Sequence, residues 1–575
     1  MNGGQIIAGV LKQHNIQHLF TLCGGHIAPI YVEAEKQGLR ITDVRDEASA
    51  VFAADAIGRL TGIPGVAAVT AGPGVTNSIT ALKNAQMAQS PVLLLGGATA
   101  TLLRGRGALQ DIDQKALVQP HVKWLGRARR QRDIAPLLNK ALQISLSGTP
   151  GPVFLELPVD LLYEEATVRE WYGMKNTGAR SLGEKALQWY INRHVNGLFR
   201  GMEHYQAPLP LKARTPGFSD QEVRAVSQAL HESERPLCII SSGAMMRPQE
   251  VQALSKAVQQ LGIPVYLSGM ARGLAGHSNA VQYRHKRRKA LKEADCILLC
   301  GVPVDFRLDY GRHLGRKARK IAINRSRREL RKNISPHTAI LADPGQFLIA
   351  LAREEAALPD WSEWKKALLQ REAEREAEIS KMADQPVEGI NPIALFLQME
   401  KAMPANSVLI ADGGDFAATA SYTLRPRAPL GWLDPGAFGT LGVGGGFALG
   451  AALHDPGNHI WIIYGDGSAA YSLMEFDTFR KYGMKVCAVI GNNGSWEQIA
   501  RDQVTMLGTD TATVLPKSDY HQIAQAFGAA GERVESLDDF GAAMQRAIEH
   551  MDQGIPYIIN AVIGSTPFRE GSISM

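Results

Sequence analysis

The stretch HIWIIYGDGSAAYSLMEFDTFRKYGMKVCAVIGNNG, residues 459–494, decides the fold. His459–Tyr464 is an apolar, β-rich run that ends in Gly465-Asp466-Gly467. Tyr471–Lys481 has helical character, and Lys485–Gly491 is a second buried-type strand that delivers Asn492-Asn493-Gly494. In a parallel sheet this puts Asp466 and Asn493 at the carboxyl ends of neighbouring strands, where α/β sheets bind ligands. One carboxylate and one amide oxygen are hard oxygen ligands, suited to Mg²⁺ carrying a diphosphate rather than to zinc. The backbone N–H groups of Gly467 and Ser468, at the start of the following helix, can take phosphate oxygens. Gly-Asp-Gly alone is a common turn. The Asn pair, set between two strands, makes the pattern specific.

Outward from this stretch, bulk properties fit a large soluble enzyme. A chain of 575 residues has room for about three or four domains. Its 45% hydrophobic and 21% charged composition is ordinary for a globular protein, and a net charge of +6 does not by itself indicate nucleic acid. The five Cys are scattered, without metal or disulfide spacing, and read as buried small hydrophobes in a reducing compartment. The first twenty residues lack a signal-peptide pattern, and no apolar run is long enough to span a membrane. These observations point to a cytoplasmic location.

Strand and helix signals alternate in three blocks. The first, 1–175, carries candidate strands at His18–Leu22, Ile41–Val44, Gly65–Thr70, Val92–Gly96 and Val153–Leu157. A linker at 176–218 holds one aromatic-bearing helical piece and a Pro-rich connector. The second block, 219–355, has strands at Pro236–Ser241, Pro264–Leu267, Cys296–Gly301 and Lys320–Asn324. A charged helical bridge at 356–385 leads to the third block, 386–575. Three doubly wound parallel-sheet domains are the expected architecture.

Asp466, Asn493 and their spacing resemble the metal and diphosphate signature of thiamine-diphosphate enzymes of the acetolactate synthase and pyruvate decarboxylase superfamily. The resemblance implies pyrimidine-binding, middle and diphosphate-binding domains in that order, with thiamine diphosphate and Mg²⁺ as cofactors. It implies Mg²⁺ ligands at Asp466, Asn493 and the backbone carbonyl of Ser495. It also implies that a buried Glu activates the cofactor at its aminopyrimidine. In ITDVRDEASA (41–50) that Glu is Glu47, with Asp46 where family members often have His. A solvated helix start is the competing local reading of Arg45-Asp46-Glu47. Against it stand the Ala-rich run after Glu47 and the turn Ala71-Gly72-Pro73-Gly74, which is similar to the family's Gly-Pro-Gly loop. In DPGAFGTLGVGGG (434–446), too Gly-rich for a regular helix interior, Leu441 falls where the family props its cofactor into a bend. The Gly439 carbonyl would accept from the pyrimidine amino group. Gly413 and Gly414, ending the strand in VLIADGGDF (408–416), would line the diphosphate side.

Within the superfamily the likeness is greatest to 2-hydroxyacyl-CoA lyases, on TAGPGVTN (70–77), KNAQMAQSP (83–91), GMARGL (269–274), DFRLDYGR (305–312), LDPGAFGTLGVG (433–444) and FREGSISM (568–575). It implies cleavage of a 2-hydroxyacyl-CoA into formyl-CoA and an aldehyde, a reaction that can also run as a condensation. An acetolactate synthase or other 2-oxoacid or aldehyde lyase is the enzymatic alternative. An inactive cofactor-binding scaffold is the non-enzymatic one, although it need not keep Glu47 and Leu441. Gln110 matches a family position facing the cofactor ring, with Asp111 following where Glu is common, and His26 on CGGHIAP is a candidate proton shuttle. CoA phosphates call for cations. Arg284, Arg287 and Arg288 in RHKRRK, and Arg325 in RSRRELRK, are candidates, with solvated helix faces as the other reading of each run. The tail offers Arg569 and Ser572. The family builds its site between subunits, which implies a homodimer or homotetramer.

Overall fold

The computed structural model describes residues 1–173, 181–202, 205–354 and 358–570. These form two compact units, residues 1–59 with 63–214, and residues 60–62 with 215–575. Ser572 lies outside the described residues.

The first unit holds one six-stranded sheet: β1 (His18–Thr21), β2 (Arg40–Asp43), β3 (Gly65–Val69), β4 (Val92–Ala98), β5 (Trp124–Arg127) and β6 (Val153–Pro158). Its order is β2-β1-β3-β4-β6-β5, and every pairing is parallel. β4 and β6 are buried along their whole length. That is the signature of strands covered on both faces by crossover helices. The helix Leu182–Phe199, inside the stretch read as a linker, turns Val195, Leu198 and Phe199 into this unit's core.

The second unit holds two more such sheets. In the first of them β7 (Pro236–Ile240), β8 (Val265–Leu267), β9 (Gln282–Tyr283), β10 (Cys296–Cys300), β11 (Arg319–Asn324) and β12 (Thr338–Leu341) take the order β12-β11-β10-β7-β8-β9. In the other, β13 (Ser407–Ala411), β14 (Trp432–Leu433), β15 (His459–Gly465), β16 (Val486–Asn492), β17 (Ala530–Val534) and β18 (Tyr557–Val562) take the order β14-β13-β15-β16-β18-β17. The expected three parallel doubly wound sheets are therefore present. Five strands that the sequence reading passes over, β5, β9, β12, β14 and β17, are all sheet edges. β9 and β14 are only two residues long, and β5, β12 and β17 are partly solvated, so none carries the continuous apolar run that marks a central strand. β18 is interior and was also passed over.

Two features of the last sheet position the site. The chain leaves β13 toward β14 on one side and returns to β15 on the other, opening a crevice at the carboxyl ends of β13 and β15. The Gly-rich segment also behaves differently from the sequence expectation, because Val443–His454 is a buried helix that contains Gly444, Gly445 and Gly446. A Cβ at Gly444 would stand 2.5 Å from the Tyr464 hydroxyl, and one at Gly445 would stand 2.9 Å from Ser472 Cβ. The glycines let this helix press against β15 and its following turn. That close packing offsets the roughly 1 kcal/mol that each Gly costs a helix interior. Among the described residues, no helix is long and apolar enough to cross a membrane.

Candidate active site

In the first unit, Glu47 opens the helix Glu47–Thr61 just after β2 and is 7% exposed. Its Oε2 accepts a hydrogen bond from Asn77 Nδ2 at 3.0 Å. Asp46, by contrast, is exposed, and its Oδ1 accepts from the Ala48 N–H at 2.7 Å. The two neighbouring acids thus divide their work: Asp46 caps the helix and Glu47 points inward. His26 follows β1, with Nδ1 3.3 Å from Thr70 Oγ1, and burial pushes its pKa below the usual histidine range. Gly72 follows β3 at φ +62°, where a Cβ would stand 2.9 Å from the Gln110 carbonyl oxygen. Gln110 itself adopts left-handed backbone, φ +62°. The Asp111 carboxylate is turned away onto the Gly105 N–H.

Sequence reasoning missed Gln114 beside this loop. It is 2% exposed; its Oε1 accepts from the Gly72 N–H at 3.1 Å and its Nε2 donates to the Gly97 carbonyl at 3.1 Å. It stitches the loop after β3 to the end of β4.

In the second unit a cavity of ≈ 280 Å³ opens at the carboxyl ends of β13, β15, β16 and β18. Gly413, Gly414, Gly439, Leu441, Asp466, Gly467, Ser468, Asn493 and Ser495 all line it. Every diphosphate-side and metal residue named from the sequence is therefore at one place. Gly414 (φ +93°) and Gly439 (φ +64°) have nothing within 4 Å of where a Cβ would stand, so both offer bare backbone to the cavity. Gly413 is different, since its Cβ would stand 2.3 Å from Leu441 Cδ2. The leucine lies directly on that glycine.

Asp466 is 2% exposed, and burial pushes its carboxyl above the usual range, opposed by N–H donation from Gly467, Gly494 and Ser495. Oδ1 accepts from Gly467 at 2.8 Å, and Oδ2 accepts from Gly494 at 2.7 Å and Ser495 at 3.2 Å. The Gly467 N–H, expected to face phosphate, is thus turned onto its neighbour's carboxylate. A buried carboxylate lacking a side-chain cation is costly, and a hard cation beside Asp466 and the Asn493 amide oxygen would relieve that cost. Among the described residues no group of three or more His, Cys, Asp or Glu could hold a metal ion. A cation here would have to draw on amide and backbone oxygens beside the Asp466 carboxylate.

Asp412, at the end of β13, is a further residue the sequence reading did not single out. It is 3% exposed, and its carboxylate accepts from the Gly442 N–H at 3.0 Å and the Gly444 N–H at 2.7 Å. It therefore anchors the segment that presents Gly439 and Leu441. Its signal was an acid directly before Gly-Gly at a strand end. Asp415, on the cavity wall, pairs with Arg501, whose Nη1 donates to the Arg569 carbonyl at 3.3 Å.

The cations proposed for CoA divide. Arg284 Nη2 donates to the carbonyls of Tyr422 (2.6 Å) and Leu424 (3.2 Å), and burial, then Arg425, lowers its pKa to about 10. Arg569 stacks on the same Tyr422, its guanidinium 5.1 Å from the ring. Arg287 is half-buried and donates to the Arg307 carbonyl at 2.9 Å, whereas Arg288 is exposed. Arg325 departs from the expectation. Its side chain is 4% exposed and its guanidinium is locked onto Asp343, itself 2% exposed. The pair is sealed in the fold, so Arg325 cannot meet a phosphate without leaving a buried carboxylate unpaired.

Comparison with known proteins adds three matches along the chain. The profile described as thiamine pyrophosphate enzyme, N-terminal TPP binding domain, matches residues 1–117. The profile for the central domain matches 223–351, and that for the C-terminal TPP binding domain matches 412–561. 2-Hydroxyacyl-CoA lyase 2 of Danio rerio is 45% identical across 100% of this chain and 93% of its own length. The protein of the same name from Homo sapiens is 44% identical across 100% and 92%. The acetolactate synthase large subunit IlvG of Mycobacterium tuberculosis is 31% identical across 98% and 96%.

Proposed function

The chain belongs to the thiamine pyrophosphate enzymes, and on that premise we propose that it is a lyase that cleaves a 2-hydroxyacyl-CoA to formyl-CoA and an aldehyde one carbon shorter. The observation that carries this reading is the likeness to 2-hydroxyacyl-CoA lyases 2 over the whole of the chain. In the reaction the hydroxyl gives up its proton, the bond between the carbinol carbon and the thioester carbonyl breaks, and the carbonyl carbon takes a proton in its place. Thiamine diphosphate, when bound, supplies the electron sink that lets this bond break.

The chain's own residues would work as follows. Asp466, Asn493 and the Ser495 carbonyl would hold Mg²⁺, against which the diphosphate would lie. Leu441, held on Gly413 and anchored through Asp412, would fix the cofactor's bend, and the Gly439 carbonyl would accept from its pyrimidine. Glu47, kept in place by Asn77, would hold its carboxyl against that ring. His26, kept neutral by burial, is suited to accept the hydroxyl proton at Nε2, and Gln110, packed on Gly72, would face the cofactor ring. Arg284, Arg287, Arg288 and Arg569, with Ser572, would receive the CoA phosphates. A homodimer or homotetramer is the assembly this reading favours.

The test is to incubate the full chain with thiamine diphosphate, Mg²⁺ and a 2-hydroxyacyl-CoA, and to measure aldehyde and formyl-CoA in equal amounts. Glu47→Gln should lower turnover by about 10²–10⁴-fold while leaving cofactor binding in place. The likeness to acetolactate synthase favours a second reading, which makes pyruvate the control substrate. Acetolactate from pyruvate with no cleavage of the acyl-CoA would replace the first reading by the second. Turnover of neither would leave a binding scaffold.

A further inference from the structure

We infer that Glu497 is a positioning residue that decides which end of the Asn493 amide faces the cation site. The inference rests on the proposed Mg²⁺ site at Asp466 and Asn493.

An asparagine amide presents an oxygen at one end and an NH₂ group of nearly the same shape at the other. Only the oxygen can ligate a hard cation. Something must therefore hold the amide one way round, and two contacts do so from opposite sides. Asn493 Nδ2 donates to Glu497 Oε2 at 2.8 Å. A carboxylate only accepts hydrogen bonds, so chemistry alone requires the nitrogen on that side. On the other side the Ser495 N–H, a pure donor, reaches Asn493 Oδ1 at 3.2 Å. The same N–H reaches Asp466 Oδ2 at 3.2 Å. One donor shared between the two oxygens places them beside each other, and this is the arrangement a cation needs from its ligands.

Glu497 is itself held. It is the first residue of the helix Glu497–Leu507, where the helix dipole favours an acid. Its Oε2 also accepts from Ser565 Oγ at 3.1 Å, and both residues line the cavity wall. The contact thus joins the loop after β16 to the segment after β18.

The test uses the full-length apoprotein, stripped of metal and cofactor. Binding of thiamine diphosphate is followed by equilibrium dialysis as Mg²⁺ is stepped upward, together with the melting temperature of each apoprotein. Glu497→Ala should raise the Mg²⁺ concentration for half-saturation by about 10–100-fold, the usual effect of losing a partner that orients a metal ligand. Glu497→Gln keeps an acceptor at the same place and removes the charge, so it should stay within about threefold of wild type if orientation is what matters. Two results overturn the inference: Glu497→Ala that binds like wild type, or Glu497→Gln that is as weak as Glu497→Ala, which would make charge the whole effect. Asp466→Asn separates this from failure of the site itself. If wild type shows no Mg²⁺ dependence, or Asp466→Asn keeps it, the proposed metal site is wrong and Glu497 with it.

Discussion

Substituting Gly413 by Ala tests the proposed role of Leu441 without touching Leu441. A methyl at Gly413 would stand 2.3 Å from Leu441 Cδ2. Nonbonded carbons settle about 3.5–4.0 Å apart, so more than about 1 Å must be recovered. Gly413, unlike Gly414, does not sit at positive φ, so Ala is tolerated by the backbone there. The strain falls on the leucine, which has to leave its rotamer at a cost of about 0.5–1.5 kcal/mol. That is a small loss for the fold. For the reaction it is large, because displacing a group that positions the reacting partner by about 1 Å costs on the order of 10²-fold in rate. The expected fall in kcat/KM corresponds to about 2.7 kcal/mol. The assay is steady-state aldehyde release from a 2-hydroxyacyl-CoA at saturating thiamine diphosphate, run on Gly413→Ala, Leu441→Ala and the double variant. Gly413→Ala should be impaired alone and should add nothing in the Leu441→Ala background, since the clash is then gone. Full activity in Gly413→Ala, or independent losses that multiply in the double variant, would refute the reasoning.

Two further outcomes concern charged groups inside the second unit. Arg325→Ala should lower the midpoint of thermal unfolding, because it strands the buried Asp343 at a cost of about 3–5 kcal/mol, yet leave KM for acyl-CoA unchanged; a raised KM with unaltered melting would return Arg325 to the phosphate site. Burial pushes the Asp412 carboxyl from 3.8 up to about 7, against N–H donation from Gly444 and Gly442. Between those two values the folded state binds the proton more often than the unfolded chain, so the free energy of unfolding should fall as pH rises through the window. Asp412→Asn should flatten that dependence in denaturant melts stepped across the window, and an unchanged slope would show that Asp412 titrates normally.

Legibility in the sequence followed burial and spacing. β4, β15 and β16 could be read because strands buried on both faces carry unbroken apolar runs. Asp466 and Asn493 could be read because each directly follows such a run, so local order alone delivers them to the same sheet end. The edge strands β9 and β14, two residues each, have no pattern to detect. The acids and amides that hold the site in place were less visible still. Asp412, Gln114 and Glu497 look like ordinary polar residues in the chain. Their roles depend on partners such as Gly442, Gly97 and Ser565, brought near by the fold.

Arg325 shows the opposite failure. A run of cations reads as a surface patch, and only packing reveals that Arg325 is buried against Asp343 while Arg327 and Arg328 of the same run remain in solvent. The three parallel sheets and the residues that end their strands were legible in the chain, because strand periodicity and the turn after each strand are local properties. Which backbone groups are bare, which leucine rests on which glycine, and which way an amide is turned were decided by tertiary structure alone. Each of those depends on contacts between segments far apart in the chain, and no local rule encodes them.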